Sequence, residues 1–131
     1  MGYPSRSTPL IPLRLSRVGL AADESTGGAG YVAPFACHVH AIIVGCSKLG
    51  GSTPHTDVDV TVKKGSVDLL SSRVAIVDSS AIVARSAAGT LSTVSGALEV
   101  AAGDVLYLDV DITGGSSPLT DVWVDVWVSR S

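Results

Sequence analysis

Two histidines are the residues whose type and spacing most directly suggest chemistry in this chain. His38 and His40 are two positions apart in an apolar stretch, so in a strand their side chains share one face about 7 Å apart. Two imidazoles at that spacing can ligate a metal together, and His55 follows in the next loop. No carboxylate motif lies beside them, and imidazoles commonly donate hydrogen bonds at interfaces. We predict no metal site and no cofactor, and we interpret His38 and His40 as interface residues.

Aspartates also recur at a spacing typical of strands. The pairs are two or four positions apart: Asp57 and Asp59, Asp109 and Asp111, and Asp121 and Asp125. Such pairs serve glycosidases or bind calcium where strands bring them together. Alternation on a solvated sheet face produces the same pairs, and their repulsion discourages aggregation between sheet edges. We interpret them as solvated, and because the chain lacks a Gly-x-Ser-x-Gly elbow we predict no catalytic residue and no enzymatic activity.

Two tryptophans lie near the end of the chain. Trp123 and Trp127 have the parity of Asp125, opposite to the valines that alternate with them, so both indoles are predicted to face outward. Tryptophan is enriched at the anchors of protein interfaces and also stacks on sugar rings. We predict a contact surface here, and the alternative is a cover of loops from the same chain.

The elements that position these side chains are strands. Residues 57–63, 105–112 and 121–128 alternate between apolar and polar side chains, and Gly, Ser or Pro clusters bound them. Residues 36–46 form the most apolar stretch. We predict that Cys37, Val39, Ala41 and Ile43 occupy one face of it and that His38, His40, Ile42 and Val44 occupy the other.

Shorter strands are predicted at residues 74–77, 82–84 and 91–94, and residues 64–65 are predicted to form a tight hairpin turn. Strand signals recur every 8 to 12 residues or so without a helical stretch between them. The sequence therefore predicts an all-β fold, an antiparallel β-sandwich of about eight strands with jelly-roll-like connections.

The amino terminus is predicted to lie outside the core. Residues 1–18 are interpreted as an extended arm followed by a first edge strand, because Pro4, Pro9 and Pro12 remove backbone donors. Residues 19–131 are assigned to the sandwich domain. Four residues of the first segment are candidate anchors on a neighbouring subunit: Tyr3, Arg6, Leu10 and Ile11.

Composition limits the classes of partner. The 131 residues are 46% hydrophobic and 16% charged, with a net charge of −3, which fits one compact domain. The chain lacks the basic surplus that nucleic acids or anionic membranes require, and it has no apolar run of about 18 residues that would span a membrane. Cys37 and Cys46 lie in one predicted strand, roughly 30 Å apart when extended, so we expect reduced thiols.

Three segments together suggest a family. The order of residues 33–44, 57–65 and 101–111 resembles the small β-sandwich modules of tailed-bacteriophage virion proteins. The resemblance implies a structural virion protein made in the host cytoplasm, with a capsid decoration protein that binds the assembled shell as the leading expectation. Its expected partners are further copies of itself, with a trimer as the expected state, and the major capsid protein or another virion protein. A tail or fibre component and a carbohydrate-binding module remain as alternatives.

Overall fold

The structure is a computed structural model, and it describes residues 9–20, 30–48, 57–77, 84–113 and 119–131. Ten strands and no helix occur in these residues, so no described segment is a helix that could cross a membrane. The strands, in chain order, are β1 Ile11–Leu20, β2 Gly30–Val32, β3 Cys37–Lys48, β4 Asp57–Lys64, β5 Val67–Asp68, β6 Val74–Val77, β7 Ala84–Ala88, β8 Glu99–Val100, β9 Val105–Thr113 and β10 Leu119–Arg130.

The strands form two antiparallel sheets. Sheet A has the order β1-β10-β3-β7, with β8 also paired to β3, and sheet B has the order β2-β9-β4-β5, with β6 also paired to β4. The pairs β1–β10, β2–β9 and β3–β8 are nested, as if one long hairpin had been wound around a core. This is the connectivity of a jelly roll, so the predicted all-β sandwich is confirmed.

The core lies between the sheets and consists almost entirely of aliphatic side chains. Along β10 the four valines from Val122 to Val128 are fully buried, and along β9 Leu106, Leu108 and Val110 meet them from the other sheet. The alternation predicted for these strands therefore assigns their inward faces correctly. Cys37 is also fully buried and is a free thiol.

Strand β3 departs from the predicted alternation. Val128 of β10 pairs with Val39 and Trp127 pairs with Ala41, so His40 is an extra residue that forms a β-bulge. The bulge reverses the parity of the strand. Val39 and Ile42 both face the core, whereas His40 and Ala41 both lie on the outer face. The parity of the histidines could not show this, because from Ala41 to Val44 both parities are apolar.

Several predicted elements need correction. In the described residues the sheets contain ten strands where about eight were predicted, and one difference is that the partner of β4 is divided into β5 and β6. Residues 91–94 do not form a strand, because only Leu91 makes a bridge, with Leu70, and a turn follows. The strand predicted at residues 82–84 begins at Ala84 in the described chain and continues to Ala88. The hairpin turn after Lys64 is confirmed, with Gly65 at a φ of 60°.

The first strand is an edge strand, as predicted, but it belongs fully to the sandwich. β1 pairs with β10 from Ile11 to Leu20, and Leu13 and Leu15 are buried in the core. Ile11 packs partly against the core of its own chain, and its role as an anchor on a neighbouring subunit stays a prediction. The predicted anchors Tyr3 and Arg6 lie outside the described residues.

Candidate functional site

The candidate site is the outer face of sheet A, where the two tryptophans lie. On β10, Trp123, Asp125 and Trp127 alternate with the buried valines and are partly exposed. Each is paired with an outward residue on either neighbouring strand. We call this set the tryptophan face: Pro12, Arg14 and Ser16 of β1, Trp123, Asp125 and Trp127 of β10, and Ala41, Ile43 and Gly45 of β3.

Trp123 is held in place by residues on both neighbouring strands. Gly45 is its pairing partner on β3, and a Cβ built there would lie 2.0 Å from Trp123 Cζ2, so the indole fills the space that a side chain would take. From β1, the Arg14 guanidinium carbon lies 4.6 Å from the centroid of the ring, which is a cation–π distance. Trp123 therefore has a fixed orientation before any partner binds.

Asp125 is the charged residue at the centre of the tryptophan face. Arg14 Nε donates to its Oδ1 at 2.7 Å and Nη2 donates to its Oδ2 at 2.8 Å, which is a bidentate pair. The hydrogen bond to Asp125 raises the pKa of Arg14 above its ordinary value. Because the pair is electrically neutral and geometrically fixed, an aspartate is tolerated between two tryptophans.

The two histidines continue the same outer face toward one end of the sheet. His38 Nδ1 lies 2.5 Å from Glu99 Oε1, and these two residues are pairing partners on β3 and β8. His40 Nε2 lies 2.7 Å from Ser129 Oγ, and the two imidazole centroids are 5.0 Å apart in an edge-to-face arrangement. The β-bulge at His40 turns this ring toward Ser129.

This histidine cluster has limited chemistry. Within the described ranges, no group of three or more His, Cys, Asp or Glu side chains could hold a metal ion, and His55 lies outside these ranges. Ser129 and His40 resemble a nucleophile and its base. However, Glu99 binds His38 rather than His40, so no carboxylate of the described chain orients the base. We therefore treat the cluster as a set of hydrogen-bonded surface groups.

The outer face of sheet A thus brings together four of the residues predicted from the sequence: His38, His40, Trp123 and Trp127. Two further described candidates lie at the start of the first strand: Ile11, and Leu10, which is 47% exposed directly before β1, at the same end of the sheet as Ser129. Sequence reasoning did not identify the roles of Arg14, Gly45, Glu99 and Ser129. Gly45 was the one local signal among them, because a glycine inside a strand often marks a place where another group packs closely against the backbone.

One aspartate on the outer face of sheet B is less solvated than predicted. Asp109 is only 7% exposed, because Arg73 Nη2 lies 3.0 Å from its Oδ1 and covers it. Asp59 and Asp111 are direct pairing partners on β4 and β9, which is an unfavourable arrangement of like charges. The prediction that this face is solvated is therefore wrong for Asp109. The side chains of Asp57 and Asp121 lie outside the described part.

Comparison of the chain with protein-family models, with curated proteins and with solved structures finds no match. The resemblance to phage virion proteins is therefore not supported by any of these comparisons. The role of the tryptophan face must be argued from its own geometry.

Proposed function

We propose that the protein is a non-enzymatic structural protein that binds another protein surface through the tryptophan face and the adjoining histidines. The observation that carries this proposal is the position of two partly exposed indoles on one sheet face, on either side of the neutral pair of Arg14 and Asp125. Tryptophan anchors with a preset orientation are typical of interface centres, because little side-chain entropy is lost on binding.

The specific role that we propose is that of a capsid decoration protein, which binds an assembled phage shell as an oligomer, with a trimer as the expected state. This part rests on the sequence resemblance. The jelly roll is compatible with it, since viral capsid domains use this fold. Lectin domains and cupins use it too, so the fold alone does not select the role.

The carbohydrate-binding alternative is less well supported by the tryptophan face. A sugar ring stacks on an open aromatic face, whereas Gly45 lies against Trp123 and the Arg14 guanidinium lies over it. Stacking at Trp123 would have to displace the pair between Arg14 and Asp125. We therefore favour a protein partner.

The test is co-sedimentation of the protein with emptied phage heads, together with sedimentation velocity of the protein alone. We expect saturable binding to heads and an oligomer at micromolar concentration. Trp127→Ala should weaken binding to heads by about ten-fold or more, which corresponds to the loss of one interface anchor. A thermal melt of the variant shows that its fold is intact.

Val67→Ala is the matched control, because Val67 is a partly exposed apolar residue on β5 of the other sheet and its exposed fraction is 37%. It should leave binding to heads unchanged. Equal affinities of wild type and Trp127→Ala would contradict the proposed role of the tryptophan face. Saturable binding to one sugar on a glycan array, abolished by Trp127→Ala, would replace the protein partner with a carbohydrate.

A further inference from the structure

A polar cleft lies on the outer face of sheet B, away from the tryptophan face. It exists because the strand beside β4 is interrupted: β5 pairs with Lys63 and Lys64, β6 pairs with residues 57–60, and residues 69–73 run between them. This segment is held to residues 90–92 by hydrogen bonds such as Ser71 N to Thr90 O at 2.9 Å. The gap that remains is a cleft of about 220 Å³.

Hydrogen-bond donors dominate the lining of the cleft. Four lining residues carry side-chain donors, namely Thr61, Lys63, Ser72 and Arg73, and Asp68 is the one carboxylate among the lining residues. Ser71 also lines the cleft, but its Oγ already donates to Thr90 O at 3.3 Å. A ligand in this cleft therefore meets two cations and two hydroxyls.

The ammonium of Lys63 has N–H donors that make no hydrogen bond to the nearby carboxylates. Its Nζ lies 3.7 Å from Asp68 Oδ1 and 3.8 Å from Asp109 Oδ2, and both distances exceed the hydrogen-bond range of about 2.7–3.2 Å. The charges attract each other, but no hydrogen bond is made to either carboxylate. Asp68 is 55% exposed at the rim, so it can turn into water when another acceptor approaches Lys63.

Thr61 gives an independent indication of a ligand. It is on the outward parity of β4, yet it is only 3% exposed, and it lines the cleft beside residues 70–73. No hydrogen bond joins its hydroxyl to another residue of the described chain. Buried hydroxyls normally have a partner, and the cleft is the direction from which one can come.

We propose that this cleft binds a small oxyanion, that is, a phosphate, a sulfate or a carboxylate group. Ammonium, guanidinium and hydroxyl donors form the charge-assisted hydrogen bonds that such groups accept. The neighbouring carboxylate of Asp109 is already bound in this manner by Arg73, whose Nη2 lies 3.0 Å from its Oδ1. The volume is below the range of about 300–1,000 Å³ typical of drug-sized ligands, so the occupant is small.

The test is an NMR titration of the ¹⁵N-labelled full chain with sodium phosphate, sodium sulfate and sodium acetate, against sodium chloride at equal ionic strength. We expect saturable shifts of the Thr61, Lys63, Ser72 and Arg73 amide signals with at least one oxyanion. Comparing the three salts identifies which oxyanion binds best. Shifts that grow linearly for every salt would overturn the proposal.

Two substitutions are expected to change the affinity for the anion in opposite directions. Lys63→Gln should weaken binding by about ten-fold or more, because it removes a charged donor. Asp68→Asn should strengthen binding by about three-fold, because it removes the competing charge at the rim. Weaker anion binding in Asp68→Asn would overturn the proposal and indicate a cation or a polyol instead.

Arg130→Gln is the control for net charge, because Arg130 is an exposed cation of sheet A that lies over Phe35, away from the cleft. It should leave the affinity unchanged. If it weakens binding as much as Lys63→Gln does, only the overall charge matters and the cleft is not a site. None of these results depends on the tryptophan face, so failure here leaves the proposed function untouched.

Discussion

The indole of Trp123 lies in the space that a side chain at Gly45 would need. The two residues are pairing partners on β10 and β3, and a Cβ on Gly45 would lie 2.0 Å from Trp123 Cζ2. Real contacts of a Cβ atom are essentially never that short. The φ of Gly45 is not among the positive values, so the backbone conformation does not require a glycine here. The glycine is required because the indole of Trp123 occupies the space of a side chain.

Gly45→Ala should destabilise the protein by about 1–3 kcal/mol, the range typical of overpacked sites, because the indole must move off the sheet. Urea unfolding measures the change in the free energy of unfolding. The substitution should cost much less in a Trp123→Ala background, where the space is free. Equal costs in the two backgrounds would show that the clash is relieved by some other movement.

Arg14→Ala should make Trp123 more accessible to solvent, because the guanidinium that lies over its ring is removed. Acrylamide quenching of tryptophan fluorescence, measured in a Trp127→Phe background, should rise. Arg130→Ala is the control, since this arginine lies over Phe35 and not over a tryptophan. Unchanged quenching in Arg14→Ala would mean that the stacked arrangement does not persist in solution.

The thiol of Cys37 should make stability depend on pH in the alkaline range. Burial raises the pKa of this thiol, and the charges of Glu99 and Asp104 raise it further. The folded state therefore keeps the proton after the unfolded state has lost it, so stability is full below the unfolded pKa of about 8.5 and falls as pH rises above it. The slope is at most about 1.4 kcal/mol per pH unit.

The measurement is urea unfolding between pH 7 and about pH 10. It compares the Cys46→Ala variant with a double variant that also carries Cys37→Ala. The two proteins differ only in the thiol of Cys37, so the difference between their pH profiles reports on that thiol. The single variant should lose more stability with rising pH than the double variant. Parallel pH profiles would contradict a raised pKa at Cys37.

Chelators should leave the thermal stability unchanged. The fold has an aliphatic core that needs no metal to close, and His38 and His40 have their hydrogen bonds with Glu99 and Ser129 instead of a metal. Differential scanning calorimetry with and without EDTA checks this. A fall of the Tm by about 10 °C that zinc or calcium restores would show that the metal prediction is wrong.

Alternation was enough to predict the faces of β9 and β10, because each strand has one apolar and one polar parity. It correctly placed Trp123, Trp127 and Asp125 outward. It failed on β3, where both parities are apolar after His40, so the pattern does not fix which parity faces the core beyond the bulge. A period of two can only be read where the two faces differ in polarity.

The partners of the outward residues could not be predicted, because they are distant in sequence. Arg14 and Asp125 are 111 positions apart, and Arg73, between β5 and β6, reaches across β4 to Asp109 of β9. The burial of Asp109 depends on that arginine, so no local pattern around residues 105–112 reveals it. The cleft beside Thr61 likewise follows from the division of one strand into β5 and β6.

The place of β10 in sheet A has a consequence for the order in which the protein folds. β10 lies between β1 and β3, so neither of these strands has its central partner until residues 119–130 have been synthesised. Until then β1 and β3 expose unpaired backbone edges and apolar faces, which is a state prone to aggregation. We therefore expect sheet A to form late in folding. We also expect it to form slowly, because the pairing of β1 with β10 joins segments that are far apart along the chain.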